Sequence, residues 1–596
     1  MGLLPPHHIP ADQASRVGGL FGRGDPVARR PDHRAVPRGP HPAAVADRGF
    51  GIPPGAQPGP QRHAGVGAGA HGRHRGADGG LRPAPHRPPA QDSAPLPLSR
   101  SNGTRRVIAA AASALATQAR EDLAALSYPC VDWVTPGIGP DGTPVHATIV
   151  VGAGQSGLAI AAALRREGVA DVVLLDGAPA GQEGVWDTFA RMEELRTPKG
   201  LNGMEFGCPS LSVRAWYTAH HGAAAWDALD RIPRRAWAGY LAWYRDTLGL
   251  AVENDTSVTD IRDASADILA VATRTPAGPR IRHARTVVIA TGYDGAGGWT
   301  VPAFIRDALP PDRYHHTNGP VDFARLRGAR VAVLGHGASA FDNANAALDA
   351  GAARVDLCFR RARLPRVNPY RHIESAGMMT HYAALDPAIR WRIARHIRLV
   401  DQPPPRRTLD RALANSRFHL HPATPWRSIG TAGDAILVDT PRGTLACDHL
   451  LCATGAAVDL TSRPELTSLA PLVALWRDRH DPGTEEGDDR LGAYPFLEGD
   501  FSFVPRGAGA DWVARVFCFN GASGVSHGLH ATSISGHRHA MPRLVRGVTE
   551  RLFAGEAGRV LGRLAAYADI DLDLPEDFEA GHHGLGRPAG NAVDAA

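Results

Sequence analysis

Ile149-Val150-Val151-Gly152-Ala153-Gly154-Gln155-Ser156-Gly157 is an apolar strand running into a glycine-rich turn, and Val331-Ala332-Val333-Leu334-Gly335-His336-Gly337-Ala338-Ser339-Ala340 repeats the design. In such a turn the first glycine makes the bend, the second lets backbone approach a pyrophosphate, and a small third residue lets helix pack on strand. The helix that follows offers free N–H groups and a positive dipole end to phosphate. One such turn is weak evidence; two in one chain, a domain apart, point to two dinucleotide sites.

The context strengthens the first copy. A helix is expected over Gln155–Arg166 and a second strand over Val172–Leu175, ending in Asp176, the place for a carboxylate that accepts from a ribose hydroxyl. The second copy ends its next strand, Val355–Phe359, in Arg360-Arg361. Guanidinium groups suit a 2′-phosphate, so this unit reads as an NADPH site, with NADH the weaker option.

Outward from the turns, strands are expected at Val258–Ile261, Ile268–Thr273 and Thr286–Ala290, the last stopping at Thr291-Gly292-Tyr293, where backbone can lie against a flat ring. Leu450-Leu451-Cys452 before Ala453-Thr454-Gly455 repeats that ending. Trp237, Tyr240, Leu241 and Tyr244 recur at helical spacing within 234–247 and read as core in preference to a substrate wall. The expected fold is α/β, with two Rossmann-like three-layer dinucleotide-binding domains, the second, NAD(P)H domain inserted in the first. The boundaries expected are a leading helix and linker over 106–143, the first dinucleotide domain over 144–327 and 447–570, the NAD(P)H domain over 328–446, and a flexible tail over 571–596.

The chain has 596 residues and a formal net charge of +5. Lys199 is its one lysine among 65 basic residues, a skew that very GC-rich coding DNA produces. Residues 1–105 are rich in Arg, His, Pro, Gly and Ala, with too little apolar periodicity to bury a core. They are expected to be disordered, and to be upstream sequence outside the working protein; a basic nucleic-acid-binding tail and a solvated linker are the other readings. No charged-then-apolar leader is present at Met1, and the apolar run at 107–116 is half of the roughly 20 residues a bilayer needs. The six cysteines lack metal-ligand spacing, so reduced thiols in a cytoplasm, no metal, no membrane and no nucleic-acid partner are expected.

These residues resemble the two-dinucleotide flavoproteins of the flavin-containing monooxygenase group, which includes N-hydroxylating and Baeyer–Villiger enzymes. The resemblance spans about residues 145–555. Its carriers are the first turn with Asp176, Gly184-Val185-Trp186, Leu195-Arg196-Thr197-Pro198-Lys199, Ala290-Thr291-Gly292-Tyr293, the second turn with Asp342, Ala453-Thr454-Gly455, and Ser526-His527-Gly528-Leu529. It implies FAD in the first unit and NADPH in the second, with O₂ and a small organic molecule as substrates. One oxygen atom is then inserted through a peroxyflavin and the other leaves as water. N-hydroxylation, Baeyer–Villiger oxidation and hydroxylation of a heterocycle such as urate are all within its range; the run Phe189–Lys199 is similar to bacterial urate-hydroxylating flavoproteins. A homo-oligomer is compatible with it.

The cofactor contacts so implied are Gly152, Gly154, Gln155, Ser156, Gly157, Asp176, Trp186, Thr291, Gly292, Gly335, Gly337, Ser339, Ala340, Arg360, Arg361, Thr454, Gly455, Gly528 and Leu529. Lys199 is expected to touch substrate, flavin or NADP⁺, or to be a surface lysine. Arg196 is expected to pair with an anionic substrate or cofactor phosphates, and His527 either to hold substrate or flavin atoms or to be a hydrogen-bonded core imidazole. The amine-oxidising fingerprint Phe-x-Gly-x-x-x-His is reduced to His316-Thr317, with Pro310 and Asp312 where Phe and Gly belong. Arg196 replaces the Asn that this branch carries. Both departures count against tertiary-amine oxygenation. Two rivals stand beside this reading. A disulfide reductase would need a redox pair, and Cys447 and Cys452, five apart on a strand, would face opposite ways. A non-catalytic nucleotide-binding protein with a basic tail would be colourless.

Overall fold

The computed structural model describes residues 102–572 apart from 201–202, 266, 296 and 529–530. The expectations for 1–101 and for 573–596 therefore fall outside the described residues, as does Leu529, while residues 102–105, expected to be disordered, open the helix Asn102–Ala125.

In chain order the elements that build the site are α1 (Asn102–Ala125), β1 (Pro144–Val151), α2 (Gln155–Arg166), β2 (Val172–Leu175), α3 (Arg234–Thr247), β3 (Val252–Glu253), β4 (Ser257–Ser265), β5 (Ile268–Thr275), β6 (Gly278–Ile289) and β7 (Tyr314–His316). They continue with β8 (Arg330–Leu334), α4 (Ala338–Asp349), β9 (Arg354–Cys358), α5 (Pro387–Val400), β10 (Phe418–His421), β11 (His449–Cys452), β12 (Val516–Cys518) and α6 (His537–Ala566).

Two parallel sheets organise the molecule. The first has the order β3-β2-β1-β6, and β12 adds in parallel to the far end of β6 through Val516 opposite Val287. β5 and β4 pair antiparallel along the other end of that same edge and form a wing. The central strands are apolar on both faces, as a sheet covered by helices requires; Ile149, Val150, Val287, Val288 and Ile289 are all fully buried. On one side α2, α3 and α6 pack, with Trp237, Tyr240 and Tyr244 buried among them. The Tyr240 and Tyr244 hydroxyls donate to the Leu211 and Met204 carbonyls, so the aromatic stripe is core.

The second sheet has the order β10-β9-β8-β11-β7, all parallel. It corrects the expected boundaries. β11 sits beside β8 and not in the first sheet, and β7 lies at its outer edge, so this unit starts before 328 and ends after 446. The reason is local: an apolar strand ending in Ala-Thr-Gly serves each sheet alike, and nothing in its composition says which. The chain crosses between the units twice, at Gly297–Trp299 and Ala456–Val458, and the crossings pair as an antiparallel ribbon.

Between β9 and β10 the second unit sends out an excursion containing α5. Asp386 caps α5 by accepting from the Ala388 amide and Pro387 opens its first turn, a favourable start. The helix turns Arg390, Trp391, Ala394 and Ile397 inward and packs on the first unit, where the Trp391 indole donates to the Glu486 carbonyl.

Candidate active site

The first turn has the geometry its glycines predict. Gly152 has φ of +99°, and a Cβ there would meet the Ala290 carbonyl at 2.7 Å; one on Gly157 would meet the Gly152 carbonyl at 1.8 Å. Gly154 is different. Its φ of −67° suits any residue, and what its bare Cα faces is Gly184, with 3.3 Å between a Cβ and the Gly184 Cα. The two glycines thus let the turn and the 184 segment approach closely, leaving bare backbone at the start of α2 where a phosphate would bind. No side chain caps α2, so its first N–H groups stay available. Asp176 accepts from the Ala153 and Ala178 amides at 2.7 and 2.8 Å, and burial raises its pKa against those bonds.

The second turn repeats the scheme. A Cβ on Gly335, at φ +132°, would meet the Ala453 carbonyl at 2.4 Å, while Gly337 faces open space and no side chain caps α4. Thus each Ala-Thr-Gly lies against the first glycine of its own turn: 290–292 on Gly152, 453–455 on Gly335. Both cradles fit a dinucleotide.

Other expected contacts are placed less directly. Gln155 accepts from the Trp237 indole at 3.3 Å, and Ser156 bonds the buried His537 ring at 3.0 Å. Trp186 stands edge-on to Trp237, with centroids 6.4 Å apart. Thr291 accepts from the Asn520 amide. The Thr454 hydroxyl donates to the Thr300 carbonyl in the crossing ribbon; Gly455 bonds the same residue's amide. The Ser339 carbonyl accepts from Asn343 inside α4.

Arg360 is exposed at the end of β9, whereas Arg361 donates to the Leu399 carbonyl at the end of α5. Of the two, Arg360 is the freer for a 2′-phosphate. Replacing both by alanine is expected to raise the Kd for NADPH by a factor equivalent to about 1.5–3 kcal/mol, the worth of a hydrogen bond to a charged group, and to leave NADH within about twofold. Titration of the two nucleotides into the holoenzyme checks it; an unchanged NADPH/NADH ratio removes the 2′-phosphate assignment.

The three expected catalytic residues do not converge. Lys199 donates to the Trp226 and Asp227 carbonyls at 2.8 and 3.2 Å, closing the end of a short helix. Arg196 does meet an anion, but a protein one: Asp342 of α4, at 2.7 Å. With the pairs Glu193–Arg411 and Glu194–Arg407, it straps the 193–196 segment to the second unit. His527 takes the core reading. It is buried, stacked on Phe501 with centroids 3.6 Å apart, and bonded through Nε2 to the Glu498 carbonyl at 3.0 Å. A carbonyl only accepts, so Nε2 carries the proton and Nδ1 accepts from Arg543 at 3.1 Å. Burial, then Arg543, holds its pKa well below the usual imidazole range.

His527 and Gly528 nevertheless border a cavity, facing Ile373, Met378, Met379 and Tyr382 of the excursion. The Tyr382 ring lies 3.4 Å from where a Gly528 Cβ would stand, and the Tyr382 hydroxyl donates to the Arg390 carbonyl. Sequence reasoning left this wall unread, because the excursion and the 526–528 segment meet only in the fold.

The FAD-NAD(P)-binding family matches residues 149–294, and the L-lysine 6-monooxygenase/L-ornithine 5-monooxygenase family matches 227–381. The FAD-dependent urate hydroxylase of Xanthomonas campestris pv. campestris is 44% identical over 457 residues, which cover 76% of this chain and 95% of that relative. The chain belongs to this family of FAD-dependent monooxygenases. It is an oxidoreductase that uses FAD and NAD(P)H to place one atom of O₂ in a small organic substrate. Among solved structures, the ornithine N-hydroxylase of Kutzneria sp. 744 shares the fold at a TM-score of 0.55 and 20% identity, over 68% of this chain and all of that one. The L-lysine 6-monooxygenase of Pseudomonas syringae does so at 0.52 and 20%, over 68% and 99%.

The disulfide-reductase alternative also meets the geometry. Cys447 and Cys452 lie on separate strands, one in a small antiparallel sheet and the other on β11. Both are buried and unpaired, and burial pushes both thiols up to about 12. A thiol so placed is not the thiolate that disulfide exchange requires. Among the described residues no helix is long and apolar enough to cross a membrane.

Proposed function

We propose that this monooxygenase hydroxylates urate, with FAD held by the first turn and NADPH by the second. The observation that carries the reading is the 44% identity to a urate hydroxylase along 95% of that enzyme's length. The lost amine-branch fingerprint around His316 and the replacement of its Asn by Arg196 support it.

When bound, the flavin supplies the two-electron chemistry that joins NADPH oxidation to O₂ activation. In balance, substrate, O₂, NADPH and a proton give hydroxylated substrate, NADP⁺ and water. The chain's share is to bind and exclude. Gly152, Gly154 and Gly157 with the open end of α2 would take the FAD pyrophosphate, and Asp176 its ribose. Gly335, Gly337 and the end of α4 would take that of NADPH. The apolar faces of Met378, Met379, Tyr382 and Gly528 keep bulk water from the reacting atoms. Six free cysteines, five of them buried, support a reducing, cytoplasmic setting.

The test is NADPH-dependent O₂ uptake by the purified yellow protein in the presence of urate, lysine, ornithine and a cyclic ketone. Urate is expected to accelerate NADPH oxidation and to lose its ultraviolet absorbance in one-to-one proportion. Acceleration by lysine or ornithine with urate inert overturns the assignment.

A further inference from the structure

Residues 193–196 belong to the first unit and reach into the second. The Leu195 amide donates to the Ile232 carbonyl at 2.8 Å and the Arg234 amide to the Glu193 carbonyl at 3.0 Å, while Leu195 itself is buried in the first unit's core. Arg231 donates to the Arg196 carbonyl, so the backbone beneath the Arg196 side chain is fixed just ahead of α3. Across the boundary stands Asp342, five residues past Gly337 on α4, the helix that opens at the second phosphate turn. Its carboxylate is 6% exposed and meets Arg196 at 2.7 Å, with the Thr408 hydroxyl as a further donor. Thr408 lies on the helix Arg406–Leu413, and its carbonyl accepts from the Asn345 side chain of α4, so the two helices present one joined face to the strap.

The three ion pairs of the strap are not equal. Glu193 with Arg411 and Glu194 with Arg407 stand in solvent, Glu193 being 64% and Arg407 72% exposed, and such pairs are worth little. Asp342 is buried, and burial raises its pKa against the pull of Arg196; parted from that cation it would hold a charge out of water with no partner, a costly state. Among the described residues this is the ion pair that joins α4 to the first unit. α5 also grips the first unit, but from the excursion and not from the phosphate-binding helix. The covalent link is the ribbon of Gly297–Trp299 and Ala456–Val458, two strands of three residues rich in glycine and alanine, the kind of segment that absorbs a hinge rotation. We propose that Arg196 is a positioning residue, whose pair with Asp342 latches α4 and the second phosphate turn against the first unit and so fixes where the nucleotide meets the flavin. The step it serves is passage of a hydride, two electrons with one proton, from NADPH to oxidised flavin, leaving NADP⁺ and reduced flavin. The inference rests on the placement of FAD on the first turn and NADPH on the second for its chemistry, and on the buried ion pair for its mechanics.

The test compares Arg196→Met, Arg196→Lys and Asp342→Asn holoenzymes. It reads hydrogen exchange of the two crossing segments without nucleotide, NADP⁺ affinity by calorimetry, and anaerobic flavin reduction at saturating NADPH. Arg196→Met and Asp342→Asn are each expected to speed exchange at the crossings by about threefold or more. Both should slow reduction by about tenfold to a hundredfold, as misplacement of reacting groups implies, with the NADP⁺ Kd within about threefold of wild type. The double variant should be no slower than Arg196→Met alone, and Arg196→Lys should restore most of the rate. Arg407→Gln, at an exposed pair, should stay within about twofold of wild type. Unchanged exchange and reduction in both variants, or faster reduction, overturn the proposal. So does NADP⁺ affinity lost in Arg196→Met and kept in Asp342→Asn, since Arg196 would then touch the nucleotide itself. If Arg196→Met fails to fold, Asp342→Asn decides. A Gly337→Val protein that binds NADP⁺ as tightly as wild type defeats the placement of the nucleotide instead; exchange at the crossings, which involves no nucleotide, then decides the latch alone.

Discussion

Gly154→Val is expected to yield folded, colourless protein that cannot be reconstituted with FAD. The substitution is chosen over its neighbours because Gly154 has an ordinary φ of −67°. Valine there stores no left-handed backbone strain, unlike a change at Gly152, and creates no clash inside the strand–helix contact, unlike one at Gly157, where 1.8 Å separates the added carbon from a carbonyl. What valine does is press on Gly184, whose Cα stands 3.3 Å from the added carbon, and cover the bare backbone that a pyrophosphate would approach. If two charge-assisted hydrogen bonds from the N-terminus of α2 to the pyrophosphate are lost at about 1.5–3 kcal/mol each, FAD affinity falls by roughly a hundredfold to ten-thousandfold. Flavin absorbance of the purified variant, circular dichroism and titration of added FAD form the measurement. A yellow Gly154→Val protein would place the cofactor elsewhere.

Glu556→Ala is the second large effect, on stability and not on chemistry. Glu556 is fully buried on α6. One of its oxygens accepts from Arg285 of β6 at 2.6 Å and the other from the Thr135 hydroxyl at 2.6 Å, with Arg559 and Arg563 close by. Arg285 also donates to the Thr135 carbonyl, so one carboxylate joins the last helix, the central sheet and the entry segment. Removing it leaves the guanidinium of Arg285 facing an empty site, a situation that costs about 3–5 kcal/mol. A clear drop in holoenzyme melting temperature is expected, with Glu556→Gln losing less because it keeps the packing and one hydrogen bond.

The pH dependence has a definite sign. Burial pushes Glu556 up, but the Thr135 hydroxyl and Arg285 outweigh it, so the folded pKa lies below the ordinary glutamate value. The stabilisation is therefore complete above the unfolded pKa of about 4.3 and is lost as pH falls through the lower folded value, because the unfolded chain binds the proton first. Wild-type melting temperature should fall more steeply than that of Glu556→Gln as pH drops below about 5. Parallel curves would show that the carboxylate is not the linked group.

How far the sequence reaches can be followed residue by residue. Both phosphate turns, the helix Gln155–Arg166 and the strand Val172–Leu175 were legible because glycine spacing and apolar runs are local signals. The strand at 449–452 was legible as a strand but not as a member of the second sheet, since its apolar run and Ala-Thr-Gly ending suit either. β6 extends eight residues before Thr286, where Arg280, Arg282 and His283 hide its extent. Lys199 stood out by rarity alone, and rarity reports on codon usage, not on geometry. The cavity wall was illegible for a different reason: Arg390 meets Ser526 across 136 positions, and no periodicity in either segment announces the other.

The excursion has one further consequence. α5 spans 14 residues, a stiff rod of about 21 Å. Near its start the Arg390 carbonyl accepts from the hydroxyl of Tyr382, a residue of the cavity wall, and at its far end the Leu399 carbonyl holds Arg361 while Asp401 holds His336 of the second phosphate turn at 3.1 Å. One straight helix therefore touches the second phosphate turn at one end and the cavity wall at the other, so the two regions share a single rigid support.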